Sequence, residues 1–140
     1  LVFSAFFAVN SVAIGIAAAL SVKFRRTESA TFYGSLLMVV FSPAEFAALA
    51  LSAPFWVYET LLFAILFSLG LTFTSTTTLA MNLARDNAGT ASAVFGAAGF
   101  AFGVLVSPLV GLGDMLTTTG IVFLAGSLLS FFFAAFATKK

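Results

Sequence analysis

The chain has 140 residues, of which 61% are hydrophobic and only 8% charged, with a mean hydropathy of +1.16; a water-soluble domain carries roughly a quarter charged residues. Six basic side chains nearly balance five acidic ones, which excludes the strongly basic surface that a nucleic-acid partner requires. Cysteine and histidine are absent, so disulfides, thiol chemistry, His-ligated metals and His general bases are excluded as well.

A helix crosses the hydrocarbon layer with about 20 apolar residues. Five such runs stand in the sequence, at Leu1–Val22, Ser29–Ala53, Phe55–Leu83, Ala91–Leu112 and Thr118–Ala137. They predict an all-α integral membrane protein, one bundle of five transmembrane helices over residues 1–140. Runs this long and this uniformly apolar exclude barrel strands, which are about ten residues long and alternate polar with apolar. The sequence opens at Leu1 inside the first run, without a Met and a basic leader, which predicts further helices upstream and no signal peptide. The basic residues occupy the first gap (Lys23, Arg25, Arg26), the third gap (Arg85) and the tail (Lys139, Lys140), and gaps two and four hold none. Lys- and Arg-bearing loops stay in the cytoplasm, so residue 1 is expected outside and the C-terminus inside, the alternation five spans require.

In the first span, Ser11, Gly15 and Ala19 form a short ladder of small residues, expected to pack in the interior. Asn10 lies near its middle, and a primary amide in hydrocarbon needs partners for its oxygen and its N–H groups. It is read either as glue between helices or as a substrate contact. The second span contains Glu45, two residues after Pro43 and about two turns from the outer end. A carboxyl there is desolvated, which leaves a proton-carrying site, a neutral hydrogen-bonded acid, or a residue reaching the headgroups through a broken helix.

The third span begins with Trp56, Tyr58 and Glu59 at the outer interface, where amphipathic rings settle. It ends in a hydroxyl-rich stretch in which Ser68, Thr72 and Ser75 share a face by their spacing of four and three. Those hydroxyls either bond back to carbonyls one turn earlier or line a wetted cavity. The fourth span places Gly99, Gly103, Ser107 and Gly111 at steps of four, a face without bulk that another backbone can approach. Pro108 removes a backbone hydrogen bond and is expected to bend the helix, so this face is either a packing surface or a gating seam. Asp114 follows in an outer loop and is expected to be solvated. The last span carries Phe and Leu around most of its circumference, including Phe123, Leu128, Phe132 and Phe136, and is expected to face lipid. No Walker loop, metal-ligand spacing, nucleophile elbow or paired-carboxylate motif occurs, so neither an enzyme nor a cofactor is expected.

The segment from Ala88 to Gly111 opens Ala-Gly-Thr-Ala-Ser-Ala and closes Ser-Pro-Leu-Val-Gly. It resembles the eleventh helix of major facilitator superfamily transporters, most closely the bicyclomycin/chloramphenicol-resistance branch of drug–proton antiporters. Phe6-Phe7-Ala8-Val9-Asn10 with the Lys23–Arg26 loop resembles helix eight and the loop after it, so the five spans correspond to helices eight to twelve of the family, a partial C-terminal six-helix half. Gly99 stands where members often carry a glutamine. The resemblance implies that spans one, three and four border a central cavity while spans two and five are outer supports, and that the coupling acids belong to the N-terminal half rather than to Glu45.

On this basis the expected function is part of a secondary transporter in the inner (plasma) membrane. It would export small apolar or amphipathic compounds in exchange for protons by alternating access, together with its N-terminal half. Phe6, Asn10, Ser68, Thr72, Ser75 and Phe95 are the cavity-lining candidates, offering aromatic faces to an apolar substrate and hydroxyls or an amide to orient it. An uptake permease of the same superfamily and a non-transporting assembly subunit are the alternatives.

Overall fold

The computed structural model describes residues 2–23 and 26–137. Leu1 at the start of the first span, Arg25 of the first basic gap and Lys139 and Lys140 of the tail lie outside the described residues. Among those described, five helices follow one another: α1 (Val2–Ser21), α2 (Thr27–Ala50), α3 (Phe55–Leu83), α4 (Ala88–Val110) and α5 (Met115–Ala137), with a 3-10 turn over Arg85–Asn87 between α3 and α4. Four stretches, Thr27–Ala50, Phe55–Leu83, Arg85–Leu109 and Thr117–Ala137, are long and apolar enough to cross a membrane, and α1 contributes a shorter apolar stretch, Ala8–Ser21. By length and composition four to five of the helices could cross a membrane.

The second helix stops three residues short of the expected Ala53. Ser52 adopts the left-handed conformation at φ 51°, its N–H donates to Leu49 O at 3.1 Å, and the N–H of Ala53 donates to Ala48 O at 2.9 Å. This is a Schellman closure with serine in the place glycine usually fills. Pro54 then precedes the first residue of α3, where its missing N–H costs nothing. Asp114 is not merely solvated: its Oδ2 accepts from the N–H of Thr117 at 3.2 Å and from Thr117 Oγ1 at 2.9 Å, an N-terminal cap that starts α5.

The helices alternate in direction. Thr31 near the start of α2 meets Ser75 near the end of α3, Phe32 of α2 meets Phe131 near the end of α5, and Phe73 and Met81 of α3 meet Phe95 and Ser92 of α4. α1 runs parallel to α3, with Phe6 beside Phe55 and Asn10 bonded to Glu59. Lys23, Arg26 and Arg85 therefore share one end of the bundle, and Trp56, Glu59 and Asp114 the other.

α2 and α3 form the central pair, flanked by α1 on α3 and by α5 on α2. Within the chain α2 is held between two neighbours, α3 and α5. Its buried stripe, Thr31, Gly34, Ser35, Met38, Ser42, Glu45 and Ala48, returns every three or four residues along one side. The ladder expected inside on α1 is displaced. Ser11, Gly15 and Ala19 are exposed, and the buried ladder is Ala13, Ala17 and Ser21, offset by two residues and hence by about 200° around the helix. α5 exposes Phe132, Phe133 and Phe136 as expected of a lipid-facing helix, yet it keeps Gly120, Ser127 and Ala134 buried, seven residues apart. A Cβ on Gly120 would lie 3.1 Å from Phe46 and 3.2 Å from Leu49, which places that stripe against α2.

Candidate functional site: a sealed seam and an open face

The α2–α3 seam brings together three of the candidates. Ser68 and Ser75 are 0% and 1% exposed, and Thr72 lies against Gly34, where an added Cβ would also meet Thr72 N at 3.0 Å and Ser68 O at 3.2 Å. Ser68 Oγ donates to Ala64 O at 2.8 Å and Thr72 Oγ1 to Ser68 O at 2.9 Å. Thr31 Oγ1 donates to Ser75 Oγ at 2.9 Å, and Ser75 Oγ in turn donates to Leu71 O at 2.7 Å. Ser68, Thr72 and Ser75 thus each donate to a carbonyl, as polar groups in hydrocarbon must, and leave this stretch of the seam without free donors. Ser68, Thr72 and Ser75 sit in a packed contact, not on an open surface.

Asn10 of α1 is half-buried and its Nδ2 donates to Glu59 Oε1 of α3 at 3.0 Å, so its amide joins two helices, while its Oδ1 is buried without a partner. Phe6 lies at the same end of the bundle, edge-on to Phe55 at 5.1 Å and to Trp56 at 6.1 Å. Close approach of α1 and α3 is set at Gly70, where a Cβ would stand 2.8 Å from Ile14 O and 3.0 Å from Ile14 Cα. Glu45 is buried on the α2 stripe at 1% exposure, in a helix that continues unbroken through Pro43 to Ala50.

The fourth helix is a contrast. No residue of α4 whose burial is described is buried, and nothing lies within 4 Å of a Cβ built on Gly96, Gly99 or Gly103. Gly99, Gly103, Ser107 and Pro108 line a shallow groove along α4 with Phe100 and Val104. Pro108 falls in the last turn, followed only by Leu109 and Val110 before the helix ends at Gly111. It closes α4 instead of hinging it, because a kink needs helix on both sides.

A second open groove, which spacing alone did not single out, runs on the other side of α3: Phe73, Thr74, Thr77, Thr78, Met81 and Asn82. Its signal was present in the sequence as the i, i+3, i+4 recurrence of 74, 77, 78, 81 and 82. Thr77 and Thr78 bond back to Phe73 O and Thr74 O. Phe73 and Phe95 join this face to α4 with ring centres 6.0 Å apart, and Phe95 also lines a third groove with Thr90 and Val94. The open side of the bundle therefore combines hydroxyls and an amide from α3, two rings, and the smooth face of α4.

Among the described residues no group of three or more acidic side chains is placed to hold a metal ion. The fold defines a class, a bundle of membrane-length helices with one sealed and one open side. No protein-family model, no curated protein and no solved structure matches the chain, so the likeness to major facilitator transporters stands on the residues between Ala88 and Gly111 and on the looser Phe6–Asn10 segment.

Proposed function

We propose that the chain is part of a secondary transporter of the major facilitator kind, exporting small apolar or amphipathic compounds in exchange for protons by alternating access. The observation that carries this reading is the bareness of α4. An apolar helix with one smooth face packs against few residues of its neighbours, in a bundle whose other four helices pack in the order α1, α3, α2, α5. A face of small residues lets another backbone approach closely, which makes α4 the side on which a second helical half belongs. The open face beside it carries what a site for apolar compounds needs, a mostly apolar wall with a few polar groups that fix orientation. On this reading Thr74, Thr77, Asn82 and Phe95 face the substrate path, and Ser68, Thr72 and Ser75 hold the wall together. The basic end of the bundle, with Lys23, Arg26 and Arg85, is the cytoplasmic one.

The test is efflux of a fluorescent dye from cells carrying the complete transporter. Thr77→Val and Phe95→Ala should lower efflux several-fold at unchanged membrane abundance. Lowered abundance with unchanged efflux per molecule would assign the open face to assembly and overturn the transport reading.

A further inference from the structure

Every buried hydroxyl among the described residues finds a partner except one, and that one lies beside the only deeply buried carboxyl. Ser42 and Glu45 are each 1% exposed and stand one turn apart on the stripe that α2 turns toward α3. Ser42 Oγ and both oxygens of Glu45 have no hydrogen-bond partner in the protein. An acid reaching the headgroups through a broken helix is excluded, because α2 is continuous across Pro43 and Glu45 is sealed. A structural acid held by hydrogen bonds is excluded by the orphaned oxygens. An ionised carboxylate would need a cation, because an uncompensated buried charge costs several kcal/mol.

No cation faces it. α3 offers Tyr58, within electrostatic reach of both Glu45 and Glu59, and Glu59 itself is engaged by Asn10. α5 and α1 contain no acidic or basic residue, and the acid nearest α5 is Asp114 at its cap. On α2 the other ionisable groups, Glu28, Tyr33 and the preceding Arg26, lie toward the opposite end, with Lys23 and Arg85.

We propose that Glu45 is a proton-binding site inside the membrane, occupied and neutral while α2 lies against α3 and emptied only when that seam parts. When it parts, the carboxyl O–H bond breaks, the proton leaves to water, and the carboxylate accepts from the Ser42 hydroxyl and from entering water. The bond from Thr31 to Ser75 latches the far end of the same seam. This inference rests on the bilayer placement of the chain and not on what it transports.

The test is infrared spectroscopy of the full chain in phosphatidylcholine vesicles at neutral pH. We expect the carbonyl band of a protonated carboxylic acid in the native chain, its loss in Glu45→Gln, its persistence in Glu59→Gln, and faster shift of the band after transfer to D2O in Thr31→Val. Should Glu45→Gln not fold, the double variant Glu28→Gln/Glu59→Gln leaves Glu45 as the one glutamate, and 13C-glutamate labelling assigns the band to it. Absence of the acid band, or a band that survives Glu45→Gln, overturns the proposal. A band that appears only when sodium is replaced by a bulky organic cation gives the orphaned oxygens to a metal cation and also overturns it. Unchanged exchange in Thr31→Val overturns the gating by the seam. Tags at Lys140 and in the Asp114 turn keep the two failures apart: a shared compartment refutes the membrane arrangement, whereas opposite compartments without an acid band refute the proton site alone.

Discussion

The two contacts of α3, with α1 and with α2, are built from the same kinds of residue as α4 and behave in the opposite way. Gly34 and Gly70 sit where a single added carbon would strike a neighbour's backbone, while Gly99 and Gly103 face open space. A glycine in an apolar helix thus has no fixed meaning; its role is decided by whether another helix lies against it. In water the hydrophobic effect would draw the fourth helix onto the others, but lipid tails solvate an apolar surface as well as protein does, and association there requires close packing and hydrogen bonds. The sealed side has both. The open side has the smooth face without a partner on it.

The sharpest way to break that comparison is one substitution placed on both sides. Gly70→Ala puts its Cβ 2.8 Å from Ile14 O, and backbone cannot rotate away as a flexible side chain can. We expect a loss of roughly 1–3 kcal/mol, the usual cost of overpacking, read by thermal or denaturant unfolding in detergent. Next comes the polar link across the same α1–α3 contact. Asn10→Ala removes the 3.0 Å bond to Glu59 and should cost up to about 1.7 kcal/mol, the upper end for hydrogen bonds between membrane helices. In a double-mutant cycle with Glu59→Ala, additive losses would show that the amide and the carboxylate do not hold the helices together.

Thr31→Val tests the latch. It keeps the shape and removes the donor to Ser75 Oγ, and the expected loss is about 0.6 kcal/mol, the average for such bonds. Ser75 keeps its own bond to Leu71 O, so the variant strands no buried donor. A loss as large as that of Gly70→Ala would mean that one hydrogen bond holds α2 on α3 as firmly as the close approach of backbones holds α1 on α3.

Much of this fold is legible in the residues. Apolar run length gives the helices, and their short connections enforce the alternation seen between α2 and α3 and between α3 and α4. The second helix ended early because Ser52 took a left-handed turn that glycine would have announced. What one helix cannot state is which of its faces is covered. Soluble helices declare it by an apolar stripe; here every face is apolar, so Ser11, Gly15 and Ala19 were as plausible a contact as Ala13, Ala17 and Ser21 two residues away. The same ambiguity left Ser68, Thr72 and Ser75 by spacing as either back-bonded hydroxyls or a cavity wall; they bond back, and their neighbours are Gly34 and Thr31. Glu45 stood out from its chemistry alone, because a carboxyl inside an apolar run is expensive whichever way it faces.

The smallest expected effect is the most discriminating. Gly99→Ala and Gly103→Ala meet nothing within 4 Å, so in this chain they should change stability by no more than about 0.5 kcal/mol, the range of substitutions away from any special feature, with the better helix propensity of alanine tending to stabilise. If the proposed transporter reading holds, a second helical half would lie on that face, and the added methyl groups should act there as Gly70→Ala acts here. The measurement pairs unfolding of the 140-residue chain with efflux and abundance of the complete protein for the same two variants. If both proteins tolerate the methyl groups, the smooth face of α4 is open to lipid in the working protein too, and the bareness of α4 no longer speaks for a missing half.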